Sequence, residues 1–116
     1  ISVAGAAALL VAKLHKIAER QNDTARRQDK DGLDVLRLLR HEPVDHLVQT
    51  LFRLLKDPIS QAATTQARGF LQVLFADRNA PGAQMAVRAS IGLEDADTIA
   101  VACEVLARQL LAAWTG

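Results

Sequence analysis

Apolar residues recur at helical spacing along almost the whole chain. Leu10, Leu14 and Ile17 follow an i, i+4, i+7 pattern, which places them on one stripe of a helix over about residues 3–21. Lys13, Lys16 and Arg20 are spaced i, i+3, i+7 and form a basic stripe beside it. The polar run 21–28 reads as a loop. A second helix is predicted to open around residues 29–31 and to reach residue 40, because an aspartate there accepts from free backbone N–H groups and opposes the helix dipole. Leu33, Leu36 and Leu39, with Val35 and Leu38, give this helix a wide apolar face, and Lys30, Asp34 and Arg37 share the other side.

Proline marks the next starts. Pro43 suits the first turn of a third helix over 43–56, with Val44, Leu47, Val48, Leu51, Leu54 and Leu55 as its stripe. Asp57-Pro58 repeats the signal for a fourth helix over 58–77, where Ala63, Ala67, Phe70, Leu71 and Leu74 face inward. Gly69 in its interior is about 1 kcal/mol worse than alanine, which predicts a close helix approach there. Asn79-Ala80-Pro81 begins a short fifth helix that Gly92 is expected to end. A sixth is predicted over 94–114, with Ile99, Cys103, Leu106 and Leu110 on one side. No stretch alternates β-branched and polar residues as a strand would. The expected fold is therefore all-α, a compact bundle of about six helices with short loops. Its neighbours should pack roughly antiparallel, in a single domain spanning 1–116.

Composition refines this picture. With 50% hydrophobic but only 3% aromatic residues and no tyrosine, the core must be built from Leu, Ala, Val and Ile, which favours close-packed helices. A net charge of +1 argues against a nucleic-acid-coating surface and makes nucleic acid an improbable partner for this domain. A helix-turn-helix reading fares no better, because the third helix offers only Arg53 and Lys56, both near its C-terminal end. The single cysteine excludes an internal disulfide and a Cys-rich zinc site, and fits a reducing, cytoplasmic setting. The uncharged run 3–12 is shorter than the roughly 20 residues a membrane span needs, and it has no basic leader before it. No membrane association is expected.

Three isolated features read as ordinary structure. His41 and His46 flank Pro43 and are five residues apart, so they miss the spacing of a zinc-binding H-E-x-x-H helix and read as a polar turn. Cys103 sits on an apolar stripe with no histidine near it in sequence and reads as a small core hydrophobe. Trp114 reads as a core or interface plug. The N-terminal constellation of Lys13, Lys16, Arg20, Arg26, Arg27, Lys30, Asp31 and Asp34 is richer. Two antiparallel helices would bring Lys13 near Asp31 or Asp34. Such a cluster can neutralise phosphate oxygens while a carboxylate orients a lysine or takes a proton. Its bland counterpart is a solvated face with a Lys30–Asp34 pair worth a few tenths of a kcal/mol.

The run LLVAKLHKIAER, followed by a basic loop and DKDGLDVLRLLR, resembles the C-terminal half of AbiE-type nucleotidyltransferases, toxin components of bacterial toxin–antitoxin and phage-exclusion systems. The resemblance rests on Lys13, Leu14, Ile17 and Arg20, then Lys30, Asp31, Asp34 and Val35, and covers residues 9–40. It implies an N-terminal catalytic half, with a Gly-Ser turn and paired metal-binding acids, preceding this region. No such turn and Asp-x-Asp pair occurs here, and Asp95 and Asp97 lie on the wrong side of the motif. The chain is accordingly expected to be a piece of a longer protein and inactive alone. The resemblance further implies that Lys13 contacts nucleotide phosphates and that Asp31 or Asp34 completes the site. Arg20 and Lys30 would assist electrostatically. Mg2+ and a nucleoside triphosphate are expected for the intact protein, none of them held by this chain alone. The implied partners are the missing catalytic half and an antitoxin or a second copy. The alternative reading is a non-catalytic helical interaction or dimerisation module, with an exposed apolar patch around residues 3–11.

Overall fold

The protein, a computed structural model describing residues 2–115, is built from six helices with no strand among the described residues. They are α1 (Val3–Arg20), α2 (Asp29–His41), α3 (Val44–Lys56), α4 (Gln61–Phe75), α5 (Pro81–Ala89) and α6 (Ala96–Ala113). The all-α bundle with short connections is thus as the apolar spacing predicts. The Cα radius of gyration of 13.3 Å is that of one compact domain of this size, about 13 Å per 100 residues.

The helix ends differ from expectation where side chains compete for the backbone. Pro58 begins a single turn rather than α4 itself. Asp57 Oδ1 accepts from the Ile59 N–H at 2.9 Å, and the Asp57 carbonyl accepts from Ser60 and Gln61, so the helix starts at Gln61. Helix α5 ends at Ala89, and Gly92 lies beyond it in the following turn with φ +82°, a left-handed geometry that suits glycine. Ser2 caps α1 by accepting from the Gly5 N–H at 3.0 Å. Asp95 does the same for α6, accepting from the Thr98 N–H and hydroxyl.

Helix α1 lies inside the bundle, packed against α2, α3 and α4. Its stripe of Leu10, Leu14 and Ile17 is buried with Leu36 of α2, Leu47 and Leu51 of α3, and Leu71 of α4. Each such side chain contributes roughly 1.5–3 kcal/mol by leaving water. The uncharged N-terminal run is buried on one side only. Ala6, Ala7 and Leu10 are inaccessible, whereas Ala4, Ala8 and Leu9 face solvent. Trp114 is buried and closes the core at the end of α6. Cys103 is buried too, and loss of hydration pushes its thiol up to about 11, so it is an unreactive core residue.

Consecutive helices pack on each other with one exception. Glu42 and Pro43 are extended, which turns the chain away from α2, and α2 packs chiefly against α5 instead of α3. Glycine makes that α2–α5 contact possible. A Cβ on Gly32 would stand 2.7 Å from Met85 Cβ and 2.8 Å from the Gly82 carbonyl oxygen. Gly82 is in turn pressed against Phe75 and the Leu74 carbonyl. The close approach expected at Gly69 is not there. Gly69 is exposed, with no atom within 4 Å of where its Cβ would be. One ion pair fastens the α2–α5 contact, and another ties the end of α2 to the α5–α6 connection. Arg88 grips Asp29 with two bonds of 3.0 Å, and Arg40 reaches Glu94 at 3.0 Å.

The two glycines give opposite predictions. Gly32→Ala lowers the unfolding free energy by about 2 kcal/mol, because neither backbone atom facing it can yield cheaply. Gly69→Ala raises it by about 0.5–1 kcal/mol, as an exposed helix-interior glycine replaced by alanine should. Urea denaturation of both variants measures the two effects side by side.

Candidate functional site

Helices α1 and α2 each present a pair of charged residues one turn apart to the other. Lys13 and Lys16 come from α1, Asp31 and Asp34 from α2, and both i, i+3 spacings place the pair on one face. Across the contact, Lys13 Nζ stands 3.0 Å from Asp31 Oδ1 and 3.1 Å from Asp34 Oδ2. Lys16 Nζ donates to the same Asp31 oxygen at 3.2 Å. Arg37 adds a longer contact, 3.8 Å to Asp34 Oδ1. Three cations therefore share two carboxylates. Asp31 also lies in the first turn of α2, where the helix dipole favours a negative charge.

The two aspartates differ in their access to solvent. The Asp31 side chain is only 4% exposed, against 20% for Asp34 and 21% for Lys13. Burial pushes the Asp31 carboxyl up, but the bonds from Lys13 and Lys16 together outweigh it and hold the group below the ordinary carboxylate value. Lys13 is raised, chiefly by its bond to Asp31, against the opposing effect of burial and with further help from Asp34. Lys13 is thus held as an ammonium group beside an ionised Asp31.

Beside this network lies an open hollow of about 470 Å³, walled by Leu9 and Leu38 and edged by Lys13, Asp34, Arg37, His41 and Glu42. Lys13 and Asp34 belong to both features, so a molecule in the hollow meets them directly. Asp31 does not line the hollow. His41, read from sequence as part of a polar turn, edges this hollow. His46 is on α3, and both histidines are exposed.

The structure brings together Lys13, Lys16, Asp31 and Asp34 and leaves Arg20, Arg26, Arg27 and Lys30 of the sequence-named residues outside the network. Lys30 is exposed on α2 and pairs with no carboxylate among the described residues, so the expected Lys30–Asp34 pair does not form. Asp34 turns instead to Lys13 and Arg37. Arg20 is part-buried near the end of α1, and its Nε has no hydrogen-bond partner. In the basic loop, Arg26 reaches Glu19 at 3.6 Å on the surface. Sequence reasoning gave Lys16 no role of its own and passed over Gly32. The spacing signal for Lys16 was present, since it stands one turn from Lys13 as Asp34 does from Asp31.

Among the described residues no group of three His, Cys, Asp or Glu side chains can hold a metal ion, and Asp31 and Asp34 are each met by ammonium or guanidinium groups. No helix of the described residues is long and apolar enough to cross a membrane. No family model, curated protein or solved structure matches the chain.

The direction of the Asp31 shift sets a pH dependence. A carboxyl held low in the folded state adds stability that is complete above its ordinary value, about 4, and is lost as pH falls through the lowered one. Asp31→Asn should lower the unfolding free energy at pH 7 by about 1.5–3 kcal/mol, the worth of hydrogen bonds to charged groups. It should also flatten the loss of stability between pH 5 and pH 2. Urea titrations of both proteins across that range measure the two effects.

Proposed function

We propose that this bundle is the C-terminal helical half of a nucleotidyltransferase-like protein, and that it supplies Lys13 and Asp34 to a nucleotide pocket completed by a catalytic half upstream. The observation that carries the reading is the lysine held between two carboxylates at the rim of a hollow, at 3.0 and 3.1 Å. It joins the motif resemblance of α1 and α2 to a physical arrangement suited to a polyphosphate.

The roles divide by access. Lys13 is the phosphate contact, a fixed positive charge aimed by its partners rather than a mobile surface lysine. Asp34 is the carboxylate a bound molecule can touch. Asp31 is a positioning residue, which holds the Lys13 and Lys16 ammonium ends at one carboxylate oxygen. Arg37, at the rim of the same hollow, is a second cation for phosphate oxygens. Lys30 and Arg20 are secondary electrostatic contributors. The magnesium ion that such chemistry employs belongs in this reading to the upstream half, and when bound it stabilises charge on the phosphates. The toxin–antitoxin role, the bacterial source and the cytoplasmic setting follow from the resemblance alone.

The exposed apolar residues favour a second reading, a helical interaction module. Ile91 and Leu93 project from the α5–α6 connection at 78% and 76% exposure, and Ile59 stands 92% exposed before α4. They lie outside the predicted patch at residues 3–11. Sedimentation of the chain separates this reading, which requires self-association or a partner.

The nucleotidyltransferase reading is tested in the intact protein by nucleotide transfer from a nucleoside triphosphate. Lys13→Ala should lower the rate by about 100-fold, the usual cost of one preorganised electrostatic contact. Lys30→Ala should cost less than about threefold, as a screened surface charge would. Equal, small effects of the two substitutions would defeat the reading.

A further inference from the structure

A second concavity lies between α3, α4 and the end of α6, none of which contributes to the Lys13 network. Its volume is about 810 Å³, within the roughly 300–1,000 Å³ typical of small-molecule sites. Phe52 and Leu55 of α3 and the buried Trp114 form its apolar wall. Among the described residues its charged lining residues are Lys56 and Arg68, and its remaining polar ones are Gln and Thr. The groove therefore joins an apolar wall to a lining whose charged residues are both positive.

The cations are placed to receive something. Arg68 donates from Nε to the Trp114 carbonyl at 2.6 Å and from Nη2 to the Leu111 carbonyl at 3.2 Å. These two bonds fix the guanidinium plane against the end of α6 and leave Nη1 uncommitted among the described residues. Lys56, in the last turn of α3, pairs with no carboxylate among the described residues. The Trp114 indole N–H is buried and has no acceptor among the described residues. Two cations line the groove and no acidic group does so among the described residues, so an anion from outside would complement them.

We propose that this groove binds a small amphipathic anion, with its charged head at Lys56 and Arg68 and its apolar body along Phe52, Leu55 and Trp114. Apolar wall and charged head are both needed. A bare anion would leave the apolar wall wet, and a neutral hydrophobe would leave the cations unanswered. The site is separate from the proposed nucleotide pocket and does not depend on it.

Trp114 is the only tryptophan of the chain, so its fluorescence reports on the end of α6 that lines this groove. The emission is followed while the protein is titrated, below micellar concentrations, with decanoate, decanol, decyltrimethylammonium and acetate. Decanoate should give a saturable change at one equivalent. The other three should bind at least about tenfold more weakly, the equivalent of about 1.4 kcal/mol. Lys56→Gln, a substitution of an exposed residue, should weaken decanoate by about fivefold or more while leaving decanol unchanged. Several results would overturn the proposal. They are no saturable response to decanoate, equal responses to decanoate and decanol, an equal response to acetate, or undiminished decanoate binding by Lys56→Gln.

Discussion

Lysine 13 joins two helices by sharing its ammonium between two carboxylates, and the arrangement of the N-terminal half turns on that contact. The apolar stripes of α1 and α2 bring the helices together, but apolar packing is tolerant of rotation and sliding. A point charge within 3.1 Å of two carboxylates one turn apart is not. The pairing fixes both the rotation of α2 and its register along α1. Lys16 repeats the constraint one turn further on, through the same Asp31 oxygen. Asp31 is nearly inaccessible, so its charge is compensated inside the protein rather than by water, and removing either partner leaves the other poorly solvated.

The network is backed by contacts on the far side of α2. Gly32, next to Asp31, lets α2 settle onto α5 at a distance no side chain would allow. Arg88 on Asp29 and Arg40 on Glu94 clamp the two ends of the helix. Helix α2 is thus gripped from both sides, by charge toward α1 and by close backbone approach toward α5. A site whose lysine must point at a ligand gains from this, because orientation is set before anything binds. The same logic holds at the opposite groove, where two backbone carbonyls fix Arg68.

The class of fold was legible because it rests on periodicity, and the stripes of α1, α2, α3 and α6 are long and regular. Helix ends were less so. The Asp57 side chain bonds its own backbone and delays α4, an outcome that spacing does not encode. The pairing of α2 with α5 was not legible at all. It depends on Gly32 meeting Gly82, fifty positions later in the sequence, whereas Gly69, which looked like the packing glycine, faces open solvent. The convergence of Lys13 with Asp31 and Asp34 was legible, because two antiparallel amphipathic helices leave their flanking charges few other partners. The choice between the aspartates was not, since it turns on burial. The groove at Trp114 was invisible, because it is made by three helices whose lining residues share no motif.

The central claim is that Lys13 and Asp31 act as one unit rather than as two surface charges. A double-mutant cycle of Lys13→Met and Asp31→Asn, followed by urea unfolding at pH 7, tests it most directly. A coupled pair predicts an interaction energy of at least about 1 kcal/mol that persists at high salt. Additivity within about 0.3 kcal/mol, or a coupling that salt abolishes, would contradict the account.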